Sequence, residues 1–242
     1  MHPRLYPLFS VLIFGILYCY TAIGVLLVLI MAAFGLKKPV NALFQGWAKS
    51  VFCVMGKRFR VHGLENILKG NHYILVANHA SLFDIVAIMS FYRGISWFGH
   101  ERLLKIPVFG RLLKLTDYVP FREPNYRNTR RMIEQLVIKS SKNTIAIFPE
   151  GTRTLNGKIN SFYRGFIYLY RATDLEILPV TLNGFYELKP KNRMSINFGS
   201  KLDIVVHKPI KREELEGKAD IQIVENVREI IESAYREVSH LS

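Results

Sequence analysis

His79 and Asp84, separated by four residues, are the pair in this chain best suited to moving a proton. A carboxylate that accepts from one imidazole nitrogen leaves the other nitrogen free to act as a base. The spacing restricts how the two meet. On a continuous helix, positions i and i+5 lie roughly 140° apart and share no face. They meet only if His79 precedes a helix and Asp84 lies in its first turn. Ser81-Leu82-Phe83-Asp84 offers that arrangement, because it reads as a capping box with Ser81 as N-cap and Asp84 at N3. The same residues allow a plainer reading, a helix cap beside a loop histidine. A second polar group is Pro149-Glu150-Gly151-Thr152-Arg153. Its glycine permits a tight backbone, and its arginine offers a planar fork suited to phosphate. Alone, it reads equally as a surface turn with an internal Glu–Arg ion pair.

Both groups need rigid elements to position them. Ile74 to Ala77 is an unbroken apolar run, as in a strand buried on both faces, and it ends at polar Asn78-His79. Thr144 to Phe148 repeats the pattern and breaks into the Pro149 turn. Sites in α/β sheets collect at such carboxyl ends. Further strands are expected at Arg58–His62 (closed by Gly63), Ile95–Phe98, Tyr118–Phe121, Ile177–Leu182, Arg193–Phe198 and Leu202–Val206, the last two as a pair. Helical segments are expected at Ile85–Phe91, at His100–Leu104 (stopped by Pro107), and at Val108–Leu115, Asn125–Ser140 and Phe162–Arg171. Val224, Val227, Ile231, Ala234 and Val238 mark an amphipathic C-terminal helix. Strands alternating with helices give an α/β class with a mostly parallel or mixed central sheet flanked by helices.

The N-terminus has a different character. Leu5 to Leu36 carries no charged side chain, a run longer than the ~20 residues that cross a bilayer core. It is also too long for a cleaved signal peptide, and Met31-Ala32-Ala33 is a poor cleavage site. Lys37-Lys38-Pro39 ends it, and a shorter apolar stretch, Val40 to Met55, comes next with Trp47 and Lys49. Together they predict a membrane-anchoring helical hairpin over residues 1–56, its second helix in or near the interface, and an α/β body over residues 57–242. A complete crossing by the first segment stays open. Lys49, Lys57, Arg58 and Arg60 place the body on the cytoplasmic side by the positive-inside rule.

The 242 residues carry a net charge of +14, and half of them are hydrophobic. Arg102, Lys105, Arg111, Lys114, Arg127, Arg130, Arg131, Lys189, Lys191 and Arg193 spread the positive charge along the body. No nucleic-acid motif accompanies them. An anionic bilayer is the more economical partner, and much of the charge reads as a solvated face. Cys19 and Cys53 both lie in the apolar segments, so neither a disulfide framework nor a zinc spacing is suggested.

Asn78-His79-x-x-x-x-Asp84, followed by Phe148-Pro149-Glu150-Gly151-Thr152-Arg153, resembles the glycerolipid acyltransferase superfamily, and most closely its bacterial 1-acyl-sn-glycerol-3-phosphate (lysophosphatidic acid) acyltransferases. Looser blocks fall in the same order. Lys105-Ile106-Pro107-Val108-Phe109-Gly110 through Tyr118-Val119-Pro120-Phe121-Arg122 resembles the segment between the two motifs. Phe162-Tyr163-Arg164-Gly165 and Leu178-Pro179-Val180-Thr181 resemble later ones. Where the family commonly ends its second block in Ile-Asp-Arg, this chain has Pro120-Phe121-Arg122.

The resemblance implies a glycerol-3-phosphate acyltransferase-like fold in a bacterial inner membrane. It also implies transfer of an acyl chain from an acyl-CoA or acyl carrier protein thioester to the sn-2 hydroxyl of lysophosphatidic acid, giving phosphatidic acid in phospholipid biosynthesis. His79 and Asp84 become the catalytic pair. Glu150, Gly151, Thr152, Arg153 and Arg122 become the acceptor site, with Lys105 as a candidate for the phosphate or the developing oxyanion. The resemblance implies no cofactor. Other readings are another lyso-lipid acceptor such as a lyso-ornithine lipid, or a non-catalytic basic membrane-binding protein. A metal hydrolase built on His79 and Asp84 finds no further cluster with ligand spacing.

Overall fold

Tyr73-Ile74-Leu75-Val76-Ala77 is apolar throughout and buried throughout, the signature of a strand with helices on both faces. The computed structural model, which describes residues 5–34, 38–105, 110, 113, 118–121 and 126–236, places this strand at the centre of a seven-stranded sheet. The strands are β1 (Phe59–His62), β2 (Tyr73–Ala77), β3 (Ile95–His100), β4 (Val119–Phe121), β5 (Thr144–Ile147), β6 (Glu176–Asn183) and β7 (Leu202–Val206). Their spatial order is β1-β7-β6-β2-β5-β3-β4. All neighbours run parallel except β6 and β7, which are antiparallel. The sheet is therefore mixed but mostly parallel, as expected.

The described helices are α1 (Tyr6–Ala33), α2 (Lys38–Val54), α3 (Phe83–Phe91), α4 (Tyr126–Ser140), α5 (Gly165–Ala172), α6 (Phe185–Leu188), α7 (Arg212–Leu215) and α8 (Asp220–Ser233). They divide the core in two. Tyr73, Leu75 and Ala77 face α2 and α3, with Phe52, Phe83 and Ile88 among their neighbours. Ile74 and Val76 face α5 and α8, meeting Phe166, Tyr170, Val224 and Val227. Truncating any of these large buried side chains to alanine costs about 2–5 kcal/mol.

The apolar N-terminus forms two antiparallel helices. Trp47 Nε1 donates to Thr21 Oγ1 at 3.2 Å, and Val25 and Val28 meet Leu43 and Phe44. α1 is long and apolar enough to cross a membrane by length and composition. Leu8, Val11, Leu12, Ile23 and Leu26 along it stay exposed, an apolar surface of the kind a bilayer covers. α2 is tied more closely to the body, since Val51 and Phe52, with Met55 just past the helix, enter its core.

Three expectations change. Arg193–Phe198 forms no strand, and β7 pairs with β6 and β1 instead. Of the alternating apolar residues there, Ile196 and Phe198 pack against the core from a loop, and Met194 is exposed. Ile196 is buried, and its N–H donates to Ser10 Oγ of α1 at 2.8 Å. Lys57 is not a free surface cation. Its ammonium is buried and donates to the carbonyls of Phe198 and Ser200, and desolvation lowers its pKa to about 8. The segment after Phe162 becomes helical only from Gly165. The helix expected over Val108–Leu115 lies outside the described residues apart from Gly110 and Leu113, as does Val238.

Candidate active site

β5, β2 and β6 are adjacent and parallel, so three chain segments leave one edge of the sheet side by side. The segment after β2 carries His79. Asn78 extends that strand's grip on β6, because its amide both donates to Leu182 O at 3.0 Å and accepts from Leu182 N at 2.8 Å. The chain then bends, and α3 begins at Phe83.

Asp84 lies in the first turn of α3, as the spacing requires, but only half of the capping box forms: Asp84 Oδ2 accepts from Ser81 N, while Asp84 N donates to Ser81 O and not to its hydroxyl. Ser81 is not the N-cap, and its hydroxyl donates across the site to Lys189 O at 2.7 Å. Asp84 instead faces back toward the turn. Its Oδ2 accepts from Ala80 N at 2.7 Å, Ser81 N at 2.8 Å and His79 Nδ1 at 2.8 Å. The carboxylate is 0 % exposed, and these donors offset the desolvation of a buried charge. Because Asp84 acts only as acceptor, the Nδ1 position carries the proton, and the lone pair is left on Nε2. The imidazole side chain is 17 % exposed, enough for a substrate to reach it.

The segment after β5 closes over the first. His79 N donates to Glu150 Oε1 at 2.6 Å, and Thr154 N donates to His79 O at 2.9 Å. The two motifs are thus joined backbone to backbone and backbone to carboxylate. Glu150 is 2 % exposed, and its other oxygen accepts from Asn160 N at 2.9 Å. It is therefore a brace between turns, not an open contact for an acceptor. Desolvation pushes its pKa up to about 7, against the opposing pull of those two amide bonds.

Gly151 adopts φ +67, and a Cβ there would come within 3.2 Å of the Tyr163 ring, so both conformation and space call for glycine. Thr152 Oγ1 accepts from Lys191 Nζ at 3.2 Å. Arg153 is half-buried and has no hydrogen bond or ion pair among the described residues, so the Glu–Arg pair within the turn does not form. Lys105 is exposed at the end of a 3-10 turn, Glu101–Lys105, and no bond joins it to either motif. Arg122 lies outside the described residues.

Sequence reasoning missed Phe148 and Trp97. The Phe148 ring stacks on His79 with centroids 4.0 Å apart and planes 14° apart, and Trp97 stacks behind it at 5.6 Å. The available signal was position, since Phe148 directly follows β5 and opens the second motif. The stack and the Asp84 bond hold the imidazole from two directions.

The turn that fixes the imidazole is thus bonded to the turn that carries an unpaired guanidinium, and the two side-chain types together suit a hydroxyl substrate that also bears an anionic group. Comparison with known proteins agrees. A family model described as Acyltransferase matches residues 58–183. A chloroplastic 1-acyl-sn-glycerol-3-phosphate acyltransferase of Arabidopsis thaliana is 26% identical over 178 residues, covering 73% of this chain and 49% of the relative. One from Borreliella burgdorferi is 29% identical over 154 residues, covering 63% of this chain and 60% of the relative. This chain spans about half the length of the plant relatives it matches. The crystal structure of the 1-acyl-sn-glycerophosphate (LPA) acyltransferase PlsC from Thermotoga maritima superposes with a TM-score of 0.81 at 27% identity, covering 96% of this chain and 95% of that one. Both motifs, at Asn78–Asp84 and Phe148–Arg153, fall within the matched family segment, and the chain belongs to the acyltransferase family.

Proposed function

We propose that this protein transfers a fatty acyl chain from a thioester, acyl-CoA or acyl carrier protein, to the sn-2 hydroxyl of 1-acyl-sn-glycerol-3-phosphate, producing phosphatidic acid. His79 Nε2 takes the proton from the acceptor hydroxyl as its oxygen bonds to the thioester carbonyl. Asp84 holds the tautomer and stabilises the imidazolium that results. The C–S bond then breaks, and the departing thiolate takes the proton back from His79. No enzyme nucleophile is needed, because the acceptor alcohol fills that role. General base catalysis contributes about 10²–10⁴ in rate, with positioning of the two substrates adding to it.

Arg153 grips the phosphate of the acceptor, with Gly151 and Thr152 forming the turn around it. Arg122 and Lys105 are further candidates for that charge. The hairpin over residues 1–56 anchors the body of residues 57–242 at the cytoplasmic face of an anionic bacterial inner membrane. Substrate physics favours this arrangement. At about 0.8 kcal/mol per buried methylene, lifting a long acyl chain into water is prohibitive, so the active site must reach the lipid where it lies. The exposed apolar side chains of α1 support the same reading.

The observation that carries the proposal is the 2.8 Å bond from His79 Nδ1 to Asp84 Oδ2, in a turn whose His79 carbonyl is held by the amide next to Arg153. The test is product analysis with the purified full-length chain, lysophosphatidate and each donor in turn. Phosphatidate from either donor supports the proposal and identifies the thioester. Transfer to a lyso-ornithine lipid or another lyso-lipid in preference to lysophosphatidate would replace the acceptor. No transfer to any acceptor would leave a membrane-binding role.

A further inference from the structure

The third segment at this edge of the sheet, which neither motif contains, walls the same site. β6 ends at Asn183, and Gly184, at φ +80 with the Lys201 carbonyl 1.9 Å from where a Cβ would stand, turns the chain into α6. The chain leaves α6 at Lys189. Two bonds tie the Lys189–Lys191 stretch to both motif turns. Ser81 Oγ donates to Lys189 O at 2.7 Å, and Lys191 Nζ donates to Thr152 Oγ1 at 3.2 Å.

Lys189 is 5 % exposed, and its ammonium has one acceptor, Pro190 O at 3.3 Å. No carboxylate pairs with it among the described residues, and the charges nearest in effect are the guanidinium groups of Arg153 and Arg193. Burial lowers its pKa first, and those two cations lower it further. Arg193 is itself held by the carbonyls of Glu187, Leu188 and Ser195, which leaves Lys189 and Arg153 as the under-coordinated members of the cluster. A buried ammonium beside guanidinium groups and without a counter-ion is costly, and a dianion placed between them removes that cost.

We propose that Lys189 is a direct ligand of the acceptor's phosphate monoester, forming with Arg153 a two-sided clamp: a compact ammonium on one side and a planar fork on the other. This rests on the reading of lysophosphatidate as acceptor. It adds a geometric consequence, because Ser81 holds the Lys189 backbone from within the His79 turn. That bond ties the backbone of the clamp to the turn of the base, so the site favours an acceptor whose hydroxyl and phosphate are held a short, set span apart, as in glycerol-3-phosphate.

The test uses the full-length protein in vesicles and the variants Lys189→Met, Lys189→Arg and Arg153→Lys. Lys189→Met keeps the apolar stem and removes the charge; Lys189→Gln replaces it if the unliganded melting temperature falls. The clamp predicts that Lys189→Met raises KM for lysophosphatidate about 10- to 100-fold while kcat stays within about threefold. Lys189→Arg recovers most of that affinity. Inorganic phosphate raises the melting temperature of the wild type and of Lys189→Arg, but not of Lys189→Met. A wild-type KM in Lys189→Met together with a raised KM in Arg153→Lys overturns the role of Lys189 and leaves the acceptor reading intact. If the wild type does not use lysophosphatidate, the acceptor reading fails. The phosphate-induced melting shift then decides Lys189 by itself: its loss in Lys189→Met keeps the anion site, and its persistence removes it.

Discussion

The turns after β2 and after β5 are neighbours bonded to each other, yet they spend their polar groups in opposite ways. In the His79 turn nearly everything is committed. Three N–H donors converge on Asp84 Oδ2, the imidazole is stacked on Phe148, and Asn78 is paired twice with Leu182. In the Glu150 turn the backbone and the glutamate are equally committed, but Arg153 is left with no partner among the described residues. Chemistry requires a base whose tautomer and direction are set before the substrate arrives. Binding requires a charge whose partner is the ligand. The first turn keeps one buried acceptor open, Asp84 Oδ1, and the second keeps a whole guanidinium open.

That contrast is broken most severely at Asp84. Asp84→Asn replaces an acceptor-only group by one that also donates, so Nδ1 is no longer obliged to carry the proton. The expected result is a fall in kcat of about 10²–10⁴ with KM for lysophosphatidate little changed. An equal rise in KM would show that the His79 turn also binds the acceptor. Arg153→Lys sharpens the other side. It keeps the charge and loses the fork, so KM for lysophosphatidate should rise about 10-fold with kcat nearly unchanged. An unaltered KM would move the phosphate elsewhere.

The smallest effect is expected from the brace and is read as stability against pH. Glu150 has a folded-state pKa of about 7, above its ordinary value of 4.5. Between those values the folded state binds more protons than the unfolded state, so the contribution of Glu150 to stability is greatest at low pH. It declines as pH rises toward 7 and stays reduced above it. Glu150→Gln removes this slope. It also leaves one of two backbone N–H groups facing an amide donor, at a cost of about 1–3 kcal/mol. Thermal melts of both proteins from pH 5 to pH 8 should therefore show a stability difference that narrows as pH rises. A constant difference would mean that Glu150 does not titrate in that range.

The chemistry at the strand ends was legible because few conformations satisfy it. His79 and Asp84 can meet only across a helix start, and both apolar runs, Ile74–Ala77 and Thr144–Phe148, end where polar residues emerge. The inferences that failed concerned partners far along the chain. Ser81 has the type and spacing of an N-cap, but its hydroxyl goes to Lys189 O, 108 residues away. Lys57 and Lys189 look like solvated charges, and only tertiary packing buries both. Arg193–Phe198 alternates as a strand does, yet its backbone groups are taken by Ser10, Lys57 and Leu188 before any neighbouring strand can bond them. Phe148 reads in the sequence as the end of a strand and the first residue of the second motif, and its stacking on His79 is not legible there because it arises from β5 lying beside β2.

The most direct measurement is phosphatidate production by the purified full-length chain in anionic vesicles, wild type against His79→Ala, with vesicle binding of both proteins followed in the same samples. A base at His79 acting on an acceptor held by Arg153 predicts that turnover falls by about 10²–10⁴ while vesicle binding is unchanged. Turnover near the wild-type rate in His79→Ala would contradict it.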